Sequence, residues 1–390
     1  MKILVLGGCG IQGLTAISDL VRSKNVEAVL CADSQTKGLE RLSKVIDLSE
    51  VESLTIDAAD VESLIRLYQK VDTVIDMLPR QLTATVCQAA LKTGVSVVNT
   101  NYGYHIADLD SAAQAAGITI MPECGLDPGI DLVIYGEAHR RFDEIHVINS
   151  YCGGMPEKNA CDNPFNYKLS WTWEGVLSSC KRDSRSVKNG KIIEISGDQQ
   201  HETDLVHEID FPGLGKLEAI PNGDAVFFTD LLGVTDTITE TGRYSLRWPG
   251  WSALWRPLKQ LGFLSETPVD GLDGEVSPYR FMLKYLEPLL QYKDNEKDLV
   301  VMLNIFEGIA DGKPTRMTTR MIIERDLETG LMAMSKGVGF PASIAAQMIA
   351  AGEITDRGVL TPMFDIPYQQ FTERLADRGI VIEIEMERLD

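Results

Sequence analysis

Three glycines, Gly8, Gly10 and Gly13, lie between the β-rich run Ile3 to Leu6 and a helical spacing of Leu14, Ile17, Leu20 and Val21, and they constrain this chain more than any other feature. A strand that passes into a helix through this spacing can turn tightly, bring backbone against a pyrophosphate, and pack helix on strand with no Cβ between them. Asp33 follows twenty residues after Gly13, at the end of a second β-rich run. A carboxylate there accepts hydrogen bonds from the ribose hydroxyls of a dinucleotide and repels the extra phosphate of NADP. The expected cofactor is therefore NAD, with Gly8, Gly10, Ile11, Gln12 and Gly13 around its phosphates. Lys37 and Arg41 nearby keep NADP open.

The next hundred residues repeat the rhythm. Strand-like runs at Ala28 to Cys31, Ser53 to Ile56, Thr73 to Met77, Val95 to Asn99 and Ile118 to Met121 alternate with helical patterns, which predicts a six-stranded, doubly wound parallel sheet. In such sheets ligands sit at the carboxyl ends of strands. Asp57 thus becomes a candidate for the adenine side, Leu78 and Pro79 for the nicotinamide side, and Asn99 to Tyr102 for the reacting groups.

After Gly125 the rhythm stops. Asn189-Gly190 within Val187 to Ile195, and Asp311-Gly312 between Leu299 to Ile309 and Arg316 to Glu324, are hairpin signals. Helices are expected at Pro341 to Ala351, with the proline near its start, and at Ile366 to Arg378, before a last strand at Ile380 to Ile384. The fold class is α/β: a Rossmann domain over 1–126, followed by a second α/β domain with a mixed sheet from 127.

Charge narrows the partners. With 37 Lys and Arg against 57 Asp and Glu, the net charge of −20 repels phosphate backbones and anionic lipid, so nucleic acid and membrane surfaces are not expected partners. An anionic ligand must be held by local groups. No apolar run approaches the ~18 residues of a membrane span, and Lys2 leads into a strand-like run rather than a signal peptide, so the cytoplasm is the expected location. Seven cysteines without a C-x-x-C pair and five scattered histidines give no metal-ligand spacing, and no metal is expected.

The run Glu123 to Asp131 stands where the sixth strand would hand over to the second domain. Asp127 reads as a helix N-cap, Pro128 as the first helical residue, and a helix runs from Gly129 toward Arg141. A capping carboxylate at that junction would also face the cleft.

Asn101-Tyr102, Ala112-Ala113 to Gly117-Ile118 and Gly125 to Asp131 resemble motifs of the saccharopine dehydrogenase family. So do Tyr151-Cys152-Gly153-Gly154-Met155-Pro156, Asp162-Asn163-Pro164, Tyr167-Lys168, Ser170-Trp171, Leu246 to Gly250, Val338 to Ala342 and Gly358 to Met363, which extends the likeness to nearly the whole chain. The resemblance is strongest to the glutamate-forming branch. It implies a Rossmann domain over 1–126 completed by C-terminal helices over 340–390, a second domain over 127–339 with a large sheet that also forms a homodimer, and oxidation of a carbon–nitrogen bond in a lysine-derived amino acid: saccharopine to glutamate and aminoadipate semialdehyde, or the reverse. Carried over by motif, Tyr102, Asp127 and Cys152 line the reactive centre, while Asn222, Asp224, Arg243 and Arg247 take substrate groups. Lys168 is a further cation for substrate carboxylates. Leu132 stands where that branch often has histidine, and Arg185 to Ile195 is similar to lysine 6-dehydrogenases, which release ammonia. A protein that binds NAD as a sensor, without catalysis, is the alternative of another class.

Overall fold

Short runs rich in Val, Ile and Leu form the first sheet because such residues suit strands covered on both faces. The strands are β1 (Lys2–Leu6), β2 (Ala28–Asp33), β3 (Val51–Thr55), β4 (Thr73–Asp76), β5 (Ser96–Asn99), β6 (Thr119–Met121) and β15 (Gly358–Val359). They lie in the order β15-β6-β5-β4-β1-β2-β3, and every pairing is parallel. The six strands expected from sequence are present, and a seventh is added by the C-terminal segment. Leu4, Leu6, Leu30, Val74, Val97 and Ile120 pack on one face against Leu64, Tyr68, Val86 and Ala90 of the helices Val61–Tyr68 and Thr83–Thr93. The computed structural model describes every residue except Lys44, Asp273 and Asp390.

The chain divides into two units, Met1–Glu137 with Ser335–Val381, and Ala138–Met334 with Ile382–Asp390. In the first, Asp19 on the helix Ile11–Arg22 accepts from Arg378 Nε at 2.6 Å and from Ser343 Oγ at 2.6 Å, which fastens the C-terminal segment to the N-terminal one.

The second unit holds β7 (Glu144–Pro156), β8 (Ser184–Lys188), β9 (Lys191–Ile195), β10 (His207–Phe211), β11 (Gly215–Pro221), β12 (Glu240–Arg247), β13 (Asp298–Ala310), β14 (Lys313–Glu324) and β16 (Glu383–Arg388). Its sheet runs β10-β11-β12-β7-β13-β14-β16, with the β8-β9 hairpin paired to β12. β12 and β7 are parallel and their outer neighbours antiparallel, so the sheet is mixed. Both hairpin signals hold: Asn189 and Gly190 have φ of 52° and 70°, Asp311 and Gly312 of 51° and 70°, the consecutive positive values that a two-residue turn between twisted strands requires.

Four expectations are corrected. The helix at Pro341 begins earlier, spanning Ala333–Ala350 with the proline inside it, because the Asp298 carboxylate accepts from Ala333 N at 2.7 Å and Met334 N at 3.0 Å and supplies a start that the local sequence lacks. The segment Ile366 to Arg378 contains a shorter helix, Tyr368–Ala376, after a helical turn at Pro362–Asp365. The last strand is β16 and pairs with β14 in the second sheet, away from the unit in which residues up to 390 were expected. The helix after the junction is Ile130–Arg141 and does not start at Pro128: Asp127 and Pro128 stand in the turn before it, joined by a cis peptide, and Asp131 Oδ1 accepts from Gly129 N at 2.7 Å.

Candidate functional site

The glycine loop joins β1 to the helix Ile11–Arg22. Its left-handed residue is Gly7, with φ of 69°, one position before the glycine assigned the tight turn from sequence. At Gly13 a Cβ would lie 2.4 Å from Gly7 O and 2.7 Å from Gly8 Cα, so the helix meets the turn with no room for a side chain. Gly10 occupies the N-cap with no side-chain cap among the described residues, and Ile11, Gln12 and Gly13 form the first turn. Backbone N–H groups at such an end suit a pyrophosphate. Asp33, at the end of β2, accepts from Cys9 N at 3.0 Å through Oδ2 and faces Ser34 Oγ and Gln35 N, each at 3.3 Å, through Oδ1. The carboxylate therefore stands beside the glycine loop. Lys37 and Arg41 are exposed. Asp57 is exposed at the end of β3, with Oδ1 on Ala59 N at 2.9 Å.

The ends of β4 and β5 are shaped by their own polar residues. Asp76 Oδ1 accepts from Leu78 N and Asn99 Oδ1 from Asn101 N, each at 3.0 Å, and Asn101 Nδ2 reaches Leu78 O at 3.4 Å. Leu78, Pro79, Asn101 and Tyr102 are thus brought to one sheet edge. The Asp127 loop joins them: Cys124 N donates to Asn99 O at 2.9 Å and Glu123 N to Asn101 O at 3.0 Å. Three carboxylates at this edge, Asp76, Glu123 and Asp131, are buried. Burial pushes Asp76 up to about 7, and burial with the Glu123 charge helps push Asp131 to about 7. All three are absent from the candidates drawn from sequence. The available signal was acids inside otherwise apolar runs, Val74 to Met77 and Met121 to Ile134.

In the second unit, strand alternation sets the arrangement. Arg243, Ser245 and Arg247 point to one face of β12, and Cys152 on β7 pairs with Ser245, so the candidate thiol and both candidate arginines share that face. All three are buried, Cys152 at 7%, Arg243 at 6% and Arg247 at 8% exposure. Arg243 stacks on Phe228 at 4.3 Å, and Arg247 lies 5.3 Å from the Tyr167 ring and 5.2 Å from Trp251, donating through Nη1 to Leu246 O at 2.7 Å. Arg247 Nε has no hydrogen-bond partner among the described residues. A buried guanidinium with an unused donor can take a carboxylate.

Lys168, Asp224 and Asn222 have partners within the second unit. Lys168 Nζ is 2.8 Å from Glu296 and 3.0 Å from Asp162, which balances its charge. Asp224 caps the helix Ala225–Leu232 through Phe227 N at 3.0 Å and accepts from Arg185 Nε at 2.9 Å, while Asn222 Oδ1 faces Arg182 at 3.4 Å.

Comparison with known proteins gives two family matches, the saccharopine dehydrogenase NADP binding domain over residues 3–121 and the saccharopine dehydrogenase C-terminal domain over residues 125–380. Alpha-aminoadipic semialdehyde synthase of Mus musculus is 28% identical over 97% of this chain; the chain spans 47%, about half, of that relative's length. Saccharopine dehydrogenase [NADP(+), L-glutamate-forming] of Schizosaccharomyces pombe is 27% identical over 99% of both chains. The apo saccharopine dehydrogenase (L-Glu forming) from Saccharomyces cerevisiae shares the fold, with a TM-score of 0.85 over 99% of each chain at 24% identity.

Proposed function

The chain belongs to the saccharopine dehydrogenase family, and on that premise we propose that it is a nicotinamide-dependent oxidoreductase acting on the secondary amine of saccharopine, forming glutamate and aminoadipate semialdehyde or running the reverse. The observation that carries this reading is the match of both family domains, together with the glutamate-forming fungal relative matched over 99% of its own length. Among the described residues no helix is long and apolar enough to cross a membrane.

Gly8, Gly10, Ile11, Gln12 and Gly13 would hold the pyrophosphate, Asp33 the adenine ribose, and Leu78 with Pro79 the nicotinamide side. The coenzyme, when bound, supplies hydride transfer. The protein's share is to take a proton from the amine and to move protons while water adds across the carbon–nitrogen bond. We assign the acid–base role to Asp127, with Tyr102 orienting or donating and Cys152 bordering the reacting atoms. Arg243 and Arg247 are assigned to substrate carboxylates, with Asn222 as a neutral contact. Lys168 and Asp224 are left out of the assignment, because their charges are balanced within the fold.

The family model and the fungal relative carry NADP in their names, whereas the carboxylate of Asp33, at the end of β2 and bonded to Cys9 N of the glycine loop, supports NAD because it would repel a 2′-phosphate. We propose NAD, in a homodimer. Steady-state turnover of saccharopine with each coenzyme tests both reaction and preference: NAD is expected to give the higher kcat/KM. Preference for NADP sinks the coenzyme assignment, and no turnover with intact NADH binding sinks the enzyme.

A further inference from the structure

Glu123 lies beyond the end of β6 and before the helix Ile130–Arg141, and it is 2% exposed with a φ of 62°. That backbone region is natural for glycine and uncommon for a residue with a side chain. Its hydrogen bonds give a reason for the side chain. Glu123 N donates to Asn101 O at 3.0 Å, and Glu123 Oε1 accepts from Gly103 N at 3.0 Å. The two bonds bracket Tyr102 from both sides. Gly103 is also pressed on Pro122, where a Cβ would lie 2.9 Å from Pro122 Cγ, so the segment sits directly against the one that carries Glu123. A glycine at 123 would relieve the backbone and lose the carboxylate acceptor.

We propose that Glu123 is a positioning residue: through its backbone and carboxylate it fixes the Asn101-Tyr102-Gly103 segment and aims the Tyr102 hydroxyl. This rests on the reading of Tyr102 as a reacting group. The same residue opens the loop that bears Asp127, since Cys124 N is held by Asn99 O and Gly125 N by Pro128 O at 3.1 Å. Its backbone N–H ties that loop to Asn101, and its carboxylate adds the bond to Gly103 N on the far side of Tyr102. Removing the carboxyl oxygen leaves the Gly103 N–H without this bond.

The test uses the full chain in four forms besides the wild type: Glu123→Gly, Glu123→Gln, Tyr102→Phe and the double Glu123→Gly/Tyr102→Phe. Glu123→Gly is expected to lower kcat by roughly 10- to 100-fold, the scale of a misplaced reacting group, with saccharopine KM and NADH affinity changed less than about threefold. Glu123→Gln keeps an oxygen acceptor for Gly103 N and is expected to stay within about fivefold of wild type. The double variant is expected to be no slower than Tyr102→Phe by more than about twofold, because residues acting through one group are not additive. Amide exchange of residues 101–105 is expected to quicken in Glu123→Gly. Effects that multiply in the double variant, or unchanged exchange, overturn the inference. A fully active Tyr102→Phe instead overturns the reading beneath it, and the exchange result then shows separately whether Glu123 holds the segment.

Discussion

Asp76 offers a prediction whose size follows from its surroundings. It ends β4, fully buried, with Oδ1 on Leu78 N at 3.0 Å and Oδ2 without a hydrogen-bond partner among the described residues. Burial raises its pKa from 3.8 to about 7, and its charge in turn helps raise the neighbouring Tyr68 hydroxyl and Cys87 thiol. Because the folded value lies above the unfolded one, the native state holds the proton more tightly between pH 4 and 7. Stability is therefore lost as pH rises through that window, and the loss is complete above the folded pKa. At about 1.4 kcal/mol per unit the whole window amounts to roughly 4 kcal/mol, of which about 2–3 falls between pH 5 and pH 8. Asp76→Asn keeps the acceptor for Leu78 N and cannot ionise. Its advantage over wild type should thus be about 2–3 kcal/mol larger at pH 8 than at pH 5. All five tryptophans, Trp171, Trp173, Trp248, Trp251 and Trp255, lie in the second unit, so urea unfolding must be followed by far-UV circular dichroism or by amide exchange in β4. Parallel pH dependence in the two proteins would refute the reasoning.

Gly13→Ala places a Cβ 2.4 Å from Gly7 O, a backbone atom that cannot swing aside, so the loop must shift at a cost of about 1–3 kcal/mol, and NADH affinity by fluorescence titration should fall roughly 10- to 100-fold. Unchanged affinity would contradict the cradle. Asp127→Asn should lower kcat by roughly 10²- to 10⁴-fold and remove one limb of the pH–rate profile, while NADH binding is retained; full turnover across pH would end the acid–base assignment. Arg247→Ala should raise the KM for saccharopine by roughly 10- to 100-fold with a smaller change in kcat, and Arg247→Lys should not restore it, since lysine lacks the planar fork that stacks on Tyr167 and Trp251.

What could be read from the sequence was local. The glycine loop, the six strands of the first sheet and both hairpin turns depend on residues within a few positions of one another, and each is found where its residues put it. What could not be read depends on distant partners. The start of Ala333–Ala350 is set by Asp298, thirty-five positions away, so Pro341 misleads as a helix-start signal. The charge of Lys168 is balanced by Glu296, 128 positions away, so a cation that looks available for substrate is a buried ion pair. β15 contains two residues and owes its place to β6, and β16 joins a sheet whose other strands end at Glu324. The junction was recognisable as a motif but not as a geometry: the N–H of Gly129 is held by Asp131, and the burial of Glu123 and Asp131 is marked in the sequence only by their place among apolar residues.

The bond that is broken distinguishes the two branches. Saccharopine carries three carboxylates where lysine carries one, and the two buried arginines on one face of β12 are more cationic equipment than a single carboxylate needs. Incubating the purified chain with NAD and either amino acid, and identifying products by mass spectrometry, tests this directly. Glutamate and aminoadipate semialdehyde are expected from saccharopine, formed faster than any ammonia from lysine. Ammonia from lysine with no glutamate from saccharopine would contradict it and assign the chain to the lysine 6-dehydrogenases.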